Sequence, residues 1–295
     1  MNRGLQQDCN PLRKGGKTMA TFYNQATLSY NNITVSSNVV SGEITEVLTV
    51  SKTAVSDAYS PGEVLTYAVS LVNSGTSALT DITLTDDLGA YDYNGTTLVP
   101  LTYVDGSVQY FENGELRPAP SVTAGTNLVI SGITVPAGGN AMIIYQASAN
   151  EFAPVEVGSA ITNTVTADGT GTAAVEASAT VPAENEAVLS ISKSLAPCEV
   201  AENGQITYSF LIQNTGNTAE SAAVISDTFD PVLSGISMTV DGAASNAYTY
   251  NELTGEFATN SGAFTVPAAS SDRDASTGAC TIVPGTVTVT VSGTI

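Results

Sequence analysis

The chain repeats itself at one constant offset, and this duplication restricts its possible folds more than any other feature. Residues 48–88 align with residues 189–229 without a gap. The matched pairs, each 141 positions apart, include Lys52 with Lys193, Tyr67 with Tyr208, Asn73 with Asn214, Gly75 with Gly216 and Asp86 with Asp227. A duplicated chain of 295 residues folds as two similar units in series, each large enough to bury its own core.

Apolar and polar side chains alternate with a period of two inside each copy. In residues 64–72, Leu65, Tyr67 and Leu71 fall on one face, and the run ends at an Asn-Ser-Gly turn. Alternation bounded by such turns is typical of half-buried β-strands, and no stretch carries a sustained helical period. The sequence therefore predicts an all-β fold, with two tandem Ig-like Greek-key β-sandwich modules and an N-terminal β-hairpin extension.

Changes in composition divide the chain into four segments. Residues 1–18 hold four of the eight basic residues and lack the apolar centre of a signal peptide, so we interpret them as a non-native leader or a disordered tail. Residues 19–45 predict the hairpin, and residues 46–183 predict module 1. Residues 184–295 predict module 2, which we expect to lack its closing hairpin.

The strand phrases of the two copies resemble one known family. GEVLTYAVSLVNSGTSALTDITLTDDL, ITVPAGG and ITNTVTADG are similar to the bacterial surface repeat called domain of unknown function eleven. The opening ATFYNQATLSYNN and the closing VTVTVSGTI look like its compact two-repeat subgroup from anaerobic Firmicutes. The resemblance covers residues 19–295 and implies Ig-like modules of a Gram-positive cell surface. It names no catalytic residue.

Composition argues against several classes of function. The chain has 28 acidic and 8 basic residues, a net charge of −20, which disfavours nucleic acid and anionic membrane surfaces as partners. It has no His, which excludes imidazole-based metal sites and catalytic triads. It has no Trp, and its acidic clusters lie in predicted loops, so a carbohydrate-active enzyme is a weak alternative. We therefore expect no enzymatic turnover, no cofactor and no membrane insertion.

The two copies differ at their ends. Copy one continues into residues 158–181, which predict a closing hairpin, whereas copy two ends on the strand equivalent to residues 141–150. Residues 21–47 precede copy one and look like the missing element, since Asn24 matches Asn163. We expect the hairpin of one subunit to complete module 2 of the next, which generates a head-to-tail fibre. In the alternatives, the hairpin closes its own module 2 or packs on module 1 as an extra edge.

Each copy combines a lysine, an acid and an asparagine at equivalent positions. The first strands carry Lys52 and Lys193, later strands carry Asp86 and Asp227, and the last strands carry Asn163 and the hairpin's Asn24. This arrangement resembles the autocatalytic Lys–Asn isopeptide bonds of Gram-positive pilin modules, which need a buried, neutral amine and a protonated carboxyl. By that resemblance, Lys52 bonds Asn163 within a chain, and Lys193 bonds Asn24 of the neighbour. The alternative is two inherited ion pairs, Lys52–Asp86 and Lys193–Asp227.

Two cysteines lie in copy two. Cys198 and Cys280 form either one disulfide, inside the module or across a contact, or two free buried thiols. Cys9 belongs to the leader. The sequence leaves this choice open.

Acidic residues cluster in a loop of copy one. Oxygen-rich loops can bind calcium, and the weak candidates are Asp86, Asp87 and Asp92. The spacing is not that of an EF-hand, so solvated loop acids are the simpler interpretation.

These observations favour a structural protein that assembles with copies of itself into a surface or spore-associated fibre. No signal peptide or sortase-type anchor is apparent in the sequence, so release from a lysing mother cell would explain a spore-surface location; assembly in the cytoplasm is the alternative. A second hypothesis is a monomeric adhesin or spacer that binds a host or matrix ligand through loops such as residues 86–97. Deletion of residues 19–42 separates the two, since a fibre needs the hairpin and an adhesin does not.

Overall fold

The protein is all-β. A computed structural model describes residues 18–170 and 172–295, and these residues form strands and turns without a helix. They accordingly offer no helix with the length and apolarity needed to cross a membrane. The predicted fold class is confirmed. The leader predicted for residues 1–18 lies, except for Thr18, outside the described residues.

The N-terminal hairpin is a long two-stranded ribbon. Its strands are β1 (Thr18–Asn24), β2 (Thr27–Tyr30), β3 (Ile33–Ser36) and β4 (Val40–Thr45). β1 pairs with β4 and β2 with β3, both antiparallel. Asn31 and Asn32 form the tight turn at the tip with φ angles of 45° and 61°, which asparagine tolerates better than most residues. Residues 46–47 connect the hairpin to module 1.

Module 1 is a sandwich of two antiparallel sheets. Its strands are β5 (Leu48–Ala54), β6 (Val64–Asn73), β7 (Leu79–Asp86), β8 (Tyr91–Tyr93), β9 (Thr96–Leu98), β10 (Leu101–Tyr103), β11 (Gln109–Glu112), β12 (Glu115–Arg117), β13 (Ser121–Ala124), β14 (Leu128–Val135), β15 (Asn140–Ala149), β16 (Ala160–Asp168) and β17 (Val175–Pro182). One sheet has the order β12-β11-β15-β6-β5, and the other has the order β13-β14-β7-β16-β17. The chain changes sheets between β6 and β7 and between β14 and β15, as a Greek-key sandwich requires.

The core of module 1 follows from the alternation along its strands. On β6, Leu65, Tyr67, Val69 and Leu71 point between the sheets and are fully buried, while the residues between them are partly exposed. Burying an aliphatic side chain of this size stabilises a fold by about 1.5–3 kcal/mol. The period-two pattern of the sequence therefore identifies the buried face correctly.

Module 2 repeats one of these sheets and only part of the other. Its strands are β18 (Leu189–Ala196), β19 (Gln205–Asn214), β20 (Ser226–Thr228), β21 (Ser234–Val240), β22 (Ala243–Ser245), β23 (Tyr248–Tyr250), β24 (Glu256–Thr259), β25 (Ser270–Arg273), β26 (Cys280–Val283) and β27 (Gly285–Thr294). The sheet β18-β19-β27-β21-β22 faces a smaller sheet, β20-β24-β23. Phe210, Phe229 and Phe257 fill the space between them. Within the described residues, no strand of module 2 takes the places that β16 and β17 occupy in module 1.

The β25–β26 hairpin of module 2 docks on module 1. The backbone N–H of Cys280 donates a hydrogen bond to the carbonyl of Glu151 at 2.7 Å. The guanidinium of Arg273 donates to the Tyr91 hydroxyl at 2.9 Å. Copy one has a short turn, residues 136–139, at the equivalent place, so repeat alignment alone does not reveal this contact.

Candidate functional site: a buried lysine cluster and an open sandwich

Two sheets bring four polar side chains together inside module 1. Lys52 and Tyr145 come from one sheet, and Asp86 and Asn163 come from the other. Lys52 Nζ lies 2.6 Å from Asp86 Oδ2, and the Tyr145 hydroxyl donates to the same oxygen at 2.6 Å. Asn163 Nδ2 donates to the Tyr145 hydroxyl at 3.0 Å. A continuous chain of polar contacts therefore joins the lysine amine to the asparagine amide.

This cluster is removed from solvent. The side chains of Lys52 and Asp86 are 0% and 2% exposed. Burial lowers the pKa of Lys52 below its ordinary value, against the opposing attraction of the Asp86 carboxylate. Burial also raises the pKa of Tyr145 well above its ordinary value, and the charge of Asp86 adds to the rise. Compared with a surface lysine, the site therefore favours an uncharged amine.

Asn163 is incompletely satisfied in this site. Its Oδ1 atom and the hydroxyl of nearby Tyr67 are buried without a hydrogen-bond partner in the described structure. The rings of Tyr67 and Tyr145 stack with centroids 5.5 Å apart, and Lys52 Nζ lies 5.1 Å from the Tyr67 centroid. A buried polar atom left unpaired costs about 1–3 kcal/mol. The cluster thus keeps an amine, a carboxyl and an unsatisfied amide together in a dry site.

The structure brings together all three residues that the repeat selected in module 1. The contact it shows is the Lys52–Asp86 ion pair, which was the simpler alternative, and the bond to Asn163 stays a prediction. Repeat alignment missed Tyr145. Strand pairing explains why: Tyr145 faces Tyr67 on β6, whereas Val291 faces Tyr208 at the same place in module 2, so the hydroxyl is not repeated. Tyr145 is recognisable only once β15 is paired with β6.

The equivalent lysine of module 2 is open to solvent. Lys193 forms an ion pair with Asp227, as the alternative interpretation predicts, but its side chain is 41% exposed. Lys193 Nζ lies 4.4 Å from the centroid of the Tyr208 ring. The predicted third member, Asn24, is exposed on the hairpin. Module 2 therefore presents an incomplete version of the module 1 cluster.

The first strand of module 2 is uncovered for its whole length. Leu48 of β5 is 1% exposed, whereas its repeat partner Leu189 of β18 is 38% exposed and Ile191 is 57% exposed. In module 1, β17 packs beside β5 and covers that edge of the core. No described strand takes this position beside β18. The apolar side chains of β18 are therefore exposed where their counterparts are packed.

The N-terminal hairpin is also unpacked. Every residue from Thr21 to Ser41 is exposed. The large apolar side chains among them are Phe22, Tyr23, Leu28, Tyr30, Ile33, Val35, Val39 and Val40. The hairpin thus covers neither module 2 nor an edge of module 1 in this structure.

The N-terminal hairpin and the β16–β17 hairpin have the same register at their bases. Asn163 faces Ala179 in β16–β17, and Asn24 faces Val40 in β1–β4, each 139 positions lower. The same offset relates Thr21, Phe22 and Tyr23 to Ala160, Ile161 and Thr162, and relates Ser41, Gly42 and Glu43 to Thr180, Val181 and Pro182. The sequence match of Asn24 with Asn163 therefore corresponds to a match in strand pairing.

Cys198 and Cys280 are free thiols in this structure. Cys280 bonds through its backbone to module 1, whereas Cys198 follows the far end of β18, where Ala196 pairs with Thr207. A strand as long as β18 spans about 25 Å, and a disulfide needs Cα atoms within about 7 Å. The structure therefore does not bring the two cysteines together, and a disulfide inside module 2 does not fit this fold.

The calcium candidates are engaged elsewhere. Asp86 points into the core, and Asp87 Oδ1 accepts a hydrogen bond from the backbone N–H of Thr164 at 2.9 Å. Asp92 Oδ1 accepts from the N–H of Gly95 within a turn. The described residues contain no group of three His, Cys, Asp or Glu side chains placed to hold a metal. The weak calcium hypothesis is therefore withdrawn.

The loop considered for ligand binding takes part in the contact between modules. Within residues 86–97, the Tyr91 hydroxyl donates to the carbonyl of Phe152 at 2.6 Å and accepts from Arg273. The Arg273 guanidinium also lies 5.5 Å from the centroid of the Tyr93 ring. Part of this loop therefore already contacts other residues of the same chain.

Comparisons with known proteins find similarity in solved structures. No family model matches the chain, and no curated protein matches it. The pilus backbone protein RrgB of Streptococcus pneumoniae is 11% identical over 80% of this chain and 55% of its own, with a TM-score of 0.34. The major pilin BcpA of Bacillus cereus is 13% identical over 90% and 73%, with a TM-score of 0.33. The major pilin SpaD of Corynebacterium diphtheriae is 14% identical over 75% and 49%, with a TM-score of 0.33. This chain thus spans about half the length of the first and third proteins, and the likeness is a loose one.

Proposed function

We propose that this protein is a structural subunit, without catalytic turnover, that polymerises head to tail into a cell-surface or spore-surface fibre. In this proposal, the N-terminal hairpin of one subunit completes module 2 of the next. The observation that supports it is that one chain has two exposed apolar surfaces: the uncovered strand β18, and a hairpin whose base has the register of β16–β17.

The open face of module 2 supplies the driving force. Leu189, Ile191 and Leu195 expose apolar surface that their counterparts in module 1 bury or pack. In the other sheet, β20 is the counterpart of the end of β7, which pairs with β16; β20 pairs with β24 alone, so its second edge leaves backbone donors and acceptors that favour pairing with another strand. Addition of a strand from a second chain satisfies both needs at once.

The hairpin presents a suitable face. Phe22 and Val40 occupy the places of the buried Ile161 and Ala179. The ring of Phe22 lies over Gly42, where a Cβ atom would come within 2.4 Å of it, so this position is free of a side chain. Docked as β16–β17 are docked, the hairpin would bury these apolar groups against β18.

The connection to module 1 opposes closure within one chain. Tyr59, which follows β5, forms a parallel bridge with Ala183 at the boundary with module 2, so β5 begins at the far end of module 1. The three peptide steps from Thr45 to Leu48 span at most about 11 Å. The hairpin therefore starts at the end of its own chain that is remote from β18. A contact that links one end to the other end of the next copy does not close and produces a fibre.

A covalent step is part of the same proposal. In module 1, the neutral amine of Lys52 attacks Cγ of Asn163, the new C–N bond replaces the Cγ–Nδ2 bond, and ammonia leaves. Asp86 first takes one proton of the ion-paired lysine, which leaves the amine neutral and the carboxyl protonated. The carboxyl then passes a proton to the departing nitrogen and recovers one from the attacking amine, so the reaction needs no oxidant or other reactant. The burial of the amine and its lowered pKa support this chemistry. In a completed module 2, Lys193, Asp227 and the neighbour's Asn24 have the corresponding roles and join subunits covalently.

The assembly is tested by deleting residues 19–42. The intact chain should sediment as fibres visible by negative-stain microscopy, and the deleted chain should stay monomeric in the same buffer. Addition of a separate peptide of residues 19–45 to the deleted chain should cap module 2 and protect β20 from hydrogen exchange, because β16 pairs with the equivalent strand β7 in module 1. Fibres from the deleted chain, or an intact chain that is monomeric at every concentration, would exclude the mechanism and favour an adhesin or spacer.

A further inference from the structure

The N-terminal hairpin is paired closer to its tip than the β16–β17 hairpin that it resembles, although both have 15 residues between the matched pairs, 25–39 and 164–178. The β16–β17 ladder ends with Ala167 facing Val175, and the hairpin counterpart of Ala167 is Leu28. The hairpin ladder continues through two more pairs, the last of which joins Tyr30 to Ile33. Docked like β16–β17, the hairpin would therefore carry a paired tip to the place where the β16–β17 ladder of module 1 has already ended.

The paired tip carries large apolar side chains on a tight turn. Tyr30 and Ile33 are both half-exposed and flank the turn formed by Asn31 and Asn32. The corresponding tip of module 1, residues 169–174, has the sequence GTGTAA, with no side chain larger than threonine. Closing a sandwich does not need a tip of this kind, so Tyr30 and Ile33 require another explanation.

A cleft lies between the two modules at the start of β18. Its volume is about 740 Å³, which is in the range of sites that enclose a small ligand or several side chains. Its walls combine apolar side chains with carboxylates, principally Tyr59, Val157, Val188, Ile282, Glu184 and Glu186. Val157 and Val188 are exposed in the described structure.

The direction of the strands places the hairpin tip at this cleft. The bridge between Tyr59 and Ala183 shows that β5 and β17 both run toward module 2. The tip that precedes β17 therefore lies at the start of β5, next to Val47. The repeat partner of Val47 is Val188, which lines the cleft. A second chain's hairpin in the equivalent position beside β18 would carry its tip to Val188.

We infer that the cleft between the modules of one subunit receives the Tyr30–Ile33 tip of the next subunit's hairpin. This inference rests on the proposed function and specifies where the donated hairpin ends. Tyr30 and Ile33 bury their side chains against the apolar wall, and the amides of Asn31 and Asn32 face the carboxylates of Glu184 and Glu186. The tip has no charge of its own, so it approaches this acidic region without repulsion. Module 1 of the acceptor thereby takes part in recognition, although it is complete by itself.

A tip variant tests the contribution to assembly. The double substitution Tyr30→Ser with Ile33→Ser leaves Phe22, Asn24 and the hairpin base unchanged. The critical concentration for fibre formation, measured by sedimentation, should rise about tenfold or more, since two apolar side chains lose their burial. The matched control is Tyr23→Ser, because Tyr23 corresponds to the exposed Thr162 and should have no effect. An unchanged critical concentration for the double variant would overturn the inference.

Engineered cysteines test the position of the tip directly. One chain carries Asn32→Cys and another carries Val157→Cys, each with Cys9, Cys198 and Cys280 replaced by Ser. A mixture of the two should form an interchain disulfide on mild oxidation, and a mixture with Val55→Cys, which lies outside the cleft, should not. Fibres without the Asn32–Val157 disulfide would overturn the tip placement and leave strand complementation intact. Fibre formation after deletion of residues 19–42 would instead defeat the proposed function, so the two failures are distinguishable.

Discussion

Lys52 and Lys193 occupy the same position in two copies of one fold, yet the first is fully buried and the second is 41% exposed. Both form an ion pair with the equivalent aspartate. The difference arises from what covers the first strand: β17 packs against β5, and no described strand takes the corresponding position against β18. The two lysines therefore serve as internal controls for each other.

The proposed Lys52–Asn163 bond would change the mass of every subunit. Formation of the amide releases ammonia, so intact-mass spectrometry should find the chain lighter by one ammonia molecule than its sequence. Lys52→Met and Asn163→Ala should each restore the full mass, while Lys193→Met in the monomeric deletion variant should retain the loss. The bond closes a loop of about a hundred residues, which the chain-entropy model values at roughly 4–5 kcal/mol of stability. A wild-type chain of full mass would eliminate this bond.

The proposed Lys193–Asn24 bond would make the fibres resistant to boiling. Fibres boiled in SDS with reductant should give a ladder of covalent oligomers, because the bond is an amide and not a disulfide. Asn24→Ala should still form fibres but dissolve to a single band, since the apolar face of the hairpin is retained. If wild-type fibres also dissolve to one band, the cross-link is absent and the non-covalent assembly stands.

The two ion pairs should differ sharply in their response to loss of the acid. In an Asn163→Ala background, where no Lys52–Asn163 bond can form, Asp86→Ala leaves the Lys52 amine buried without its partner, and breaking a buried pair in this way costs about 3–5 kcal/mol. Asp227→Ala affects a pair whose lysine is solvated, so we expect a loss of at most about 1 kcal/mol. Urea unfolding of the two variants measures both values. The double variant Lys52→Met with Asp86→Ala should regain much of the loss, and an equal effect of both single variants would contradict the burial argument.

Much of this architecture can be predicted from sequence because both the repeat and the strand period are regular. The constant offset identifies Lys52 and Asp86 as neighbours, and the match of Asn24 with Asn163 anticipates a register that strand pairing then displays. Tyr145 was missed because its contact depends on which strand lies beside β6 and has no repeated counterpart. The docking of Arg273 was missed for a related reason: it belongs to an insertion, and contacts between modules leave no periodic signal.

Buried tyrosines predict that module 1 loses stability at high pH. Burial raises the pKa of Tyr59 and of Tyr110 to about 12 from the ordinary value of 10.0. Below pH 10 both the folded and the unfolded chains keep these protons, so the contribution is fully present; it is lost as the pH rises through about 12, because the unfolded chain releases them first. Lys52, with its lowered pKa, acts in the opposite sense as the pH approaches 10.5 from below. Urea midpoints should therefore fall above pH 10, and Tyr59→Phe should reduce the fall while Tyr23→Phe, at an exposed site, should not.

The contacts of Arg273 predict a fixed angle between the two modules. Its guanidinium donates hydrogen bonds to the Tyr91 hydroxyl at 2.9 Å and to the carbonyl of Gly278 at 3.2 Å, and it lies over the Tyr93 ring. Hydrogen bonds to a charged group contribute about 1.5–3 kcal/mol, so Arg273→Ala should loosen the contact of β25–β26 with module 1.

Small-angle scattering of the monomeric deletion variant measures this loosening as a broader distribution of maximum dimensions. Arg117→Ala is the matched control, because Arg117 pairs with Glu112 and Glu115 on the surface of module 1 alone. Module 1 has only a short turn, residues 136–139, where module 2 has the β25–β26 insertion. A fibre would therefore have the β25–β26 contact within each subunit and no equivalent contact between subunits. Fibres of the wild-type protein should consequently bend between subunits, and those of Arg273→Ala should bend at both kinds of joint. Equal scattering from Arg273→Ala and Arg117→Ala would show that the linker, and not the arginine, sets the angle between the modules.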